Sequence, residues 1–286
     1  MNKKESMKKI SPYIRLMRLD KPIGILLLLW PTLWGLVLAA NGEHDLKITL
    51  IFIAGVVIMR SAGCVINDIA DRKFDDKVKR TKQRPLASGE LNIKQALVLF
   101  FVLVVLAFVL VLQLNFTTIL MSIVALLLAS SYPFAKRYTN LPQAHLGVAF
   151  AWAIPMAYTA YGILPDLSCW LLFSATAVWA LIYDTIYAMV DRDDDLKIAV
   201  KSSAILFGKY DILVITILQL IFITLLSVVG MTEKLGIGYF ISLIAVVVFF
   251  MRHLKMIWLR ERGQCFKAFL NNHWIGLVVL VGILAK

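Results

Sequence analysis

The sequence predicts an all-α, polytopic membrane protein, and three observations carry that expectation. Hydrophobic residues fill 60% of the 286 positions and the mean hydropathy is +0.80, whereas soluble domains are ~45–50% apolar. Apolar runs near the ~20 residues that a spanning helix needs recur along the whole chain. Lysine and arginine concentrate in alternate connections between those runs, as expected when cations are retained on one side of a bilayer. Because the runs repeat along the whole length, one membrane domain over residues 1–286 is expected, without a separate soluble domain.

Taken in order, the elements bear this out. Lys3, Lys4, Lys8, Lys9, Arg15, Arg18 and Lys21 lead into a first run at 22–40. Pro22 suits a first helical turn, where its missing N–H would have no partner anyway. The run has no small-residue cleavage site before the next polar loop, so it is expected to stay as a span rather than leave as a signal peptide. Further runs follow at 48–66, 96–114, 117–132, 144–161, 167–189, 212–230, 236–251 and 269–285. That gives about nine spans. Basic residues crowd the connections after the second, fourth, sixth and eighth runs, while the others carry at most a lone lysine, Lys47 or Lys234. The N-terminus and every basic connection are therefore expected in the cytoplasm. Pro31 and Pro155 fall inside runs and should kink them. Arg84-Pro85-Leu86-Ala87-Ser88-Gly89 reads as a turn-like segment, expected to lie over a site as a lid.

The net charge of +12 is accounted for by those connections, so membrane topology and lipid contact explain it without nucleic acid. Cys64, Cys169 and Cys265 are scattered, odd in number and without a CxxC pair, which excludes a disulfide framework or zinc site as an expectation. His44, His145, His253 and His273 are equally dispersed.

Topology does not ask for the two acidic stretches. Asn67, Asp71 and Asp75 follow the second run at four-residue spacing and share one helical face. Asp184, Tyr187, Asp191 and Asp195 make a similar stripe at the end of the sixth. Asp68 lies one step off the first column, and Asp76, Asp193 and Asp194 read equally well as solvated helix ends. Two columns of carboxylates on the same side of the membrane repel unless cations lie between them. Oxygen ligands without histidine or cysteine suit Mg²⁺, which usually takes one or two carboxylates together with substrate phosphates. Arg72, Lys73, Lys136 and Arg137 are candidates to touch the phosphate oxygens. A diphosphate held in this way is a better leaving group. An allylic partner would depart as a cation that needs protection from water. Tyr132, Phe134, Trp179, Tyr183 and Tyr187 are candidate electron-rich walls, although each also suits span packing or an interfacial belt.

Asn67-Asp68-x-x-Asp71-x-x-x-Asp75 and Asp191-x-x-x-Asp195 resemble the two aspartate-rich motifs of the intramembrane aromatic prenyltransferases. Arg18-Leu19-Asp20-Lys21-Pro22-Ile23-Gly24, Tyr132-Pro133-Phe134-Ala135-Lys136-Arg137 and the segment from Tyr183 to Asp195 are similar to the 4-hydroxybenzoate polyprenyltransferase branch. The likeness covers nearly the whole chain. It implies helices around a central cavity that opens near the cytoplasmic side of a bacterial inner membrane. It implies Mg²⁺ as cofactor, and polyprenyl diphosphate and 4-hydroxybenzoate as substrates. The prenyl chain would go to the ring carbon ortho to the hydroxyl, the membrane-bound step of ubiquinone biosynthesis. Asn67, Asp71, Asp75, Asp191 and Asp195 would then bind the metal and diphosphate. Arg72, Lys136 and Arg137 would contact diphosphate or the benzoate carboxylate, Arg137 being favoured for the carboxylate. Asp191 would help position the phenol, with Tyr132 and Tyr187 near the substrates. Two other readings stand beside this one: a prenyltransferase acting on another aromatic acceptor, and a cation-coupled transporter whose acids line an ion path. Prenyl length and oligomeric state are left open by the sequence.

Overall fold

The computed structural model describes residues 11–76, 81–197 and 200–285, and those residues are helices and connections without a strand. The lysines up to Lys9, and Lys77, Lys79 and Arg80, lie outside the described residues.

A short helix α1 (Pro12–Leu16) precedes α2 (Ile23–Ala40) and α3 (Leu46–Asp75). Next come α4 (Ile93–Val111) and α5 (Phe116–Tyr138), then the short pair α6 (Pro142–Ala151) and α7 (Ala153–Ala160). The rest comprises α8 (Leu167–Lys197), the short α9 (Ser203–Phe207), α10 (Asp211–Thr232), α11 (Ile237–Ile257) and α12 (Arg262–Leu284). Local chemistry sets several starts. Asn92 and Gln95 form a reciprocal capping box at α4. Asn115 accepts from the Thr118 amide at α5, and Asp166 accepts from the Cys169 amide at α8.

Eight helices among the described residues are long and apolar enough to cross a membrane. The chain is thus a multi-pass integral membrane protein. The difference from about nine lies at 144–161, which runs as α6 and α7 with a break at Trp152. Pro155 has no N–H to return to Ala151, and the ladder parts one turn before it. Pro31, by contrast, leaves α2 continuous.

The helices pack in a closed circuit. α2 meets α3, α3 meets α5, α5 meets α6 and α7, α6 meets α8, α8 meets α12, and α12 returns to α2. α4 lies against α3 with most of its surface exposed, and α10 and α11 flank α8 and α12. α2 and α8 are the most enclosed of the candidate spans among the described residues, and in α8 Trp179, Ile182 and Ile186 are wholly buried. Trp34 of α2 stacks near Trp179, at 5.4 Å between ring centres, and donates to the Gly276 carbonyl of α12 at 2.9 Å. Gly147 brings α6 onto α8: an added Cβ there would stand 2.5 Å from the Ala177 carbonyl oxygen.

Two helices overshoot the membrane. α3 has 30 residues and α8 has 31. At ~1.5 Å per residue each exceeds a hydrocarbon core of ~30 Å. The surplus at both C-terminal ends carries Asp71, Asp75, Asp191 and Asp195, so these sit where charge is far less costly than at the bilayer centre, whereas Asp184 lies deeper, inside the apolar run.

Candidate active site

The acidic ends of α3 and α8 converge on one polar cavity of about 160 Å³. Asn67, Asp71 and Asp75 line it from α3, and Asp184, Tyr187, Asp191 and Asp195 from α8. Tyr132 and Lys136 enter from α5, and Thr81 and Arg84 from the connection after α3. Arg72 and Arg137 line neither this cavity nor the apolar one beside it. Arg72 is exposed. Arg137 donates to the Ala70 carbonyl at 2.7 Å and lies over the Phe134 ring, 5.3 Å from its centre.

Burial separates the acids by role. Asp68 is fully buried and faces away from the cavity, held by Arg18 at 2.8 and 3.0 Å and by Arg84 at 3.1 Å. Arg84 also bonds Asp75, at 3.1 and 2.9 Å. The connection that contains it is therefore anchored rather than loose over the site. Leu86 and Leu91 are buried with Leu16, Val65 and Leu103 in a small apolar cluster, so the segment expected as a lid is a docked side wall. Asp71 pairs with Lys136 through Oδ2, which also accepts from the Asn67 amide at 3.1 Å. Asp75 lies beyond the end of its span at Lys73. Burial pushes its carboxyl up to about 6 and the neighbouring Asp68 and Asp71 add to the rise, although the Arg84 guanidinium opposes it. Arg84 is itself held above its ordinary value by Asp68 and Asp75, which outweigh the cost of its burial.

The donor set fits a hard divalent cation. Among the described residues, every ligand-capable group on the cavity wall is oxygen or nitrogen, without imidazole or thiol, and five aspartates face Arg84, Lys136 and Lys201. Asp71 Oδ1 is buried without a hydrogen-bond partner among the described residues. Such an oxygen is costly to leave unsatisfied. No three His, Cys, Asp or Glu side chains among the described residues form a preassembled metal cage. That is compatible with a cation whose coordination a substrate phosphate completes.

The second cavity, about 400 Å³, is apolar and lies between α2, α3, α4, α5, α6 and α7, with Phe52, Val104, Leu126 and Phe150 among its walls. Tyr132 lines both cavities. Arg60 lies on the apolar side, on the α3 face that continues through Asn67 to Asp71. Its Nη1 meets Cys64 Sγ at 2.9 Å, its guanidinium stands 5.8 Å from the centre of the Phe150 ring, and its buried Nε has no partner among the described residues. Gly24 makes room for this guanidinium, since a Cβ there would collide with it. Arg60, Tyr132, Tyr183 and Asp184 lie within electrostatic reach of one another. Sequence reasoning did not single out Arg60. Its only signal is one cation in the middle of an apolar run.

Aromatic rings continue from the core to the polar cavity. Tyr183 stands edge-on to Trp179 at 5.3 Å and tilted to Phe269 at 6.3 Å. Phe269 packs on Tyr187 at 4.5 Å. Phe134 is exposed and outside this series.

A family model described as the UbiA prenyltransferase family matches residues 28–276. Curated proteins named 4-hydroxybenzoate octaprenyltransferase, from Citrobacter koseri and Salmonella paratyphi B, are each 56% identical to the chain over 275 residues, covering 96% of it and 95% of each of them. Among solved structures, the apo form of a UbiA homologue from Aeropyrum pernix K1 superposes with a TM-score of 0.80 at 25% identity, over 91% of this chain and 96% of the other. A UbiA homologue from Archaeoglobus fulgidus bound to GPP and Mg²⁺ shares the fold, with a TM-score of 0.71 at 17% identity, over 94% of this chain and 99% of the other.

Proposed function

The chain belongs to the UbiA prenyltransferase family, and from that membership we propose that it transfers a polyprenyl group from polyprenyl diphosphate to 4-hydroxybenzoate. The new bond forms at the ring carbon ortho to the hydroxyl, the allylic C–O bond breaks, and diphosphate and a ring proton leave. The product belongs to ubiquinone biosynthesis, and the curated relatives' names point to an octaprenyl chain. Residues 1–286 act as one domain. The basic connections favour an inner-membrane location with the N-terminus and the polar cavity facing the cytoplasm.

One observation carries the reading: a polar, acid-rich cavity and an apolar cavity meet at Tyr132. A diphosphate head and a hydrocarbon tail on one molecule need that juxtaposition, whereas an ion path would place its acids near the membrane midplane.

Asn67, Asp71, Asp75, Asp191 and Asp195 would hold Mg²⁺ on the diphosphate. When bound, the metal supplies stabilisation of the charge that gathers on the departing diphosphate. Lys136 and Arg84 reach into the same cavity and are suited to the outer phosphate oxygens. Tyr132 and Tyr187 present aromatic faces where an allylic cation would develop, and the apolar walls keep water from it. Arg60 suits the benzoate carboxylate better than Arg137, because it puts a planar fork on the wall of the apolar cavity, whereas Arg137 lines neither cavity and donates to the Ala70 carbonyl. Asp191, on the wall of the polar cavity, would accept a hydrogen bond from the phenol.

Membranes containing the protein, given 4-hydroxybenzoate, Mg²⁺ and prenyl diphosphates of several lengths, test this. Prenylated 4-hydroxybenzoate is the expected product. Product from a naphthoate but none from 4-hydroxybenzoate would replace the acceptor, and solute flux without product would replace the reaction.

A further inference from the structure

The end of α8 that carries Asp191 and Asp195 has little apolar support. Val190 is its last buried residue, and the described residues beyond it are half-buried or exposed. Outside the cavity lining this end is tied by ions. Arg192 Nη1 lies 3.3 Å from Asp211 Oδ2. Asp211, the first residue of α10, is fully buried. Arg260 grips it as well, with Nε at 3.2 and 2.9 Å from the two oxygens and Nη2 at 2.6 Å from Oδ1. Arg260 also donates to the Lys209 carbonyl at 3.1 Å, and it holds this position with φ of 53°, a left-handed backbone that is unfavourable for a side-chain-bearing residue. A second set, Arg262 with Asp193 at 3.1 Å and Asp194 at 3.2 Å, is more exposed. Exposed pairs contribute little, so the buried Asp211 is the fixed point.

We infer that the Arg192–Asp211–Arg260 cluster is a positioning device that sets the placement of Asp191 and Asp195 and thereby the affinity of the polar cavity for a divalent cation with prenyl diphosphate. Arg192 is adjacent to Asp191 and three residues before Asp195. It does not line the polar cavity, and on a helix it lies about 100° round from Asp191, to one side of the face that the two acids present there. Its grip on Asp211 fixes the rotation of that last turn and a half. Asp211 remains paired through Arg260 when Arg192 is removed, so the device can be loosened without stranding a buried charge. The inference rests on the proposed role of Asp191 and Asp195 in holding the metal.

The test uses the full-length protein in detergent or nanodiscs, with Mn²⁺ binding followed by electron paramagnetic resonance beside a non-hydrolysable prenyl thiodiphosphate. Steady-state kinetics and thermal melting accompany it. Arg192→Gln is expected to weaken Mn²⁺ binding and raise KM for prenyl diphosphate by about tenfold, with kcat within about twofold, KM for 4-hydroxybenzoate unchanged and the melting temperature nearly unchanged. Arg192→Lys is expected to recover most of the affinity, and Arg262→Ala to resemble the parent. Wild-type Mn²⁺ affinity in Arg192→Gln would overturn the inference. So would a fall in melting temperature and kcat with affinity intact, which would mark a merely structural pair. Asp191→Asn in parallel separates the two levels. Weakened binding there with Arg192→Gln silent overturns only the positioning role, and unchanged binding in Asp191→Asn overturns the metal role and this inference with it.

Discussion

Arg84 donates through Nη1 to both carboxylate oxygens of Asp75, at 3.1 and 2.9 Å, while the same nitrogen lies 3.1 Å from Asp68. One guanidinium thus joins a cavity-lining acid to an acid turned away from the cavity. Arg84→Ala leaves Asp68 with Arg18 but removes the cation from Asp75. The expected cost is about 3 kcal/mol of stability, because one member of a largely buried pair is left behind. Prenyl transfer should fall by about two orders of magnitude, through the lost charge-assisted bonds. Thermal melting and a membrane-based transfer assay check both.

Asp71→Asn should abolish most activity even at saturating Mg²⁺, by about 100-fold or more in kcat/KM, equivalent to about 2.7 kcal/mol or more of transition-state stabilisation. The substitution keeps the shape but takes charge from a cavity acid whose buried Oδ1 has no hydrogen-bond partner among the described residues. Lys136 loses its partner as well. Near-parental turnover would remove Asp71 from the clamp.

Arg60→Met should raise KM for 4-hydroxybenzoate by about tenfold or more and leave KM for prenyl diphosphate within about twofold, as expected when one charge-assisted contact to a carboxylate is lost. Equal rises in both would place Arg60 in general architecture. A 4-hydroxybenzoate analogue without the carboxylate should discriminate poorly between parent and variant.

Gly147→Ala tests the packing that holds α8 in place. The added methyl meets the Ala177 backbone rather than a flexible side chain. The expected penalty is about 2 kcal/mol, the usual range for overpacking a close contact. A lower melting temperature with an unchanged KM for either substrate is the expected result.

The two acidic columns were legible because a period of four along a helix is visible in letters and topology gives no reason for it. The alternation of basic connections leads one to expect both helix ends on one side, which is a prerequisite for their convergence but does not dictate it. The residues missed are those with no period. Arg60 is a single cation in a run, Arg84 one of many in a basic connection, and Asp211 a single acid whose partner Arg260 is 49 residues away. Their roles depend on tertiary contacts. Asp68 shows the same limit from the other direction: one residue along a helix turns a side chain by about 100°, enough to move it from the cavity to a buried pair with Arg18. The division of 144–161 into two short helices falls one turn before Pro155, and composition alone reads that stretch as one span.

The central claim is that α3 and α8 serve one metal-bound ligand. Anomalous scattering from Mn²⁺ in crystals grown with a prenyl thiodiphosphate tests it most directly. Metal peaks within coordination reach of carboxylates from both helices, Asp71 or Asp75 on one side and Asp191 or Asp195 on the other, are the expected result. Peaks confined to one helix, or ligand density that leaves either acidic end uninvolved, would contradict it.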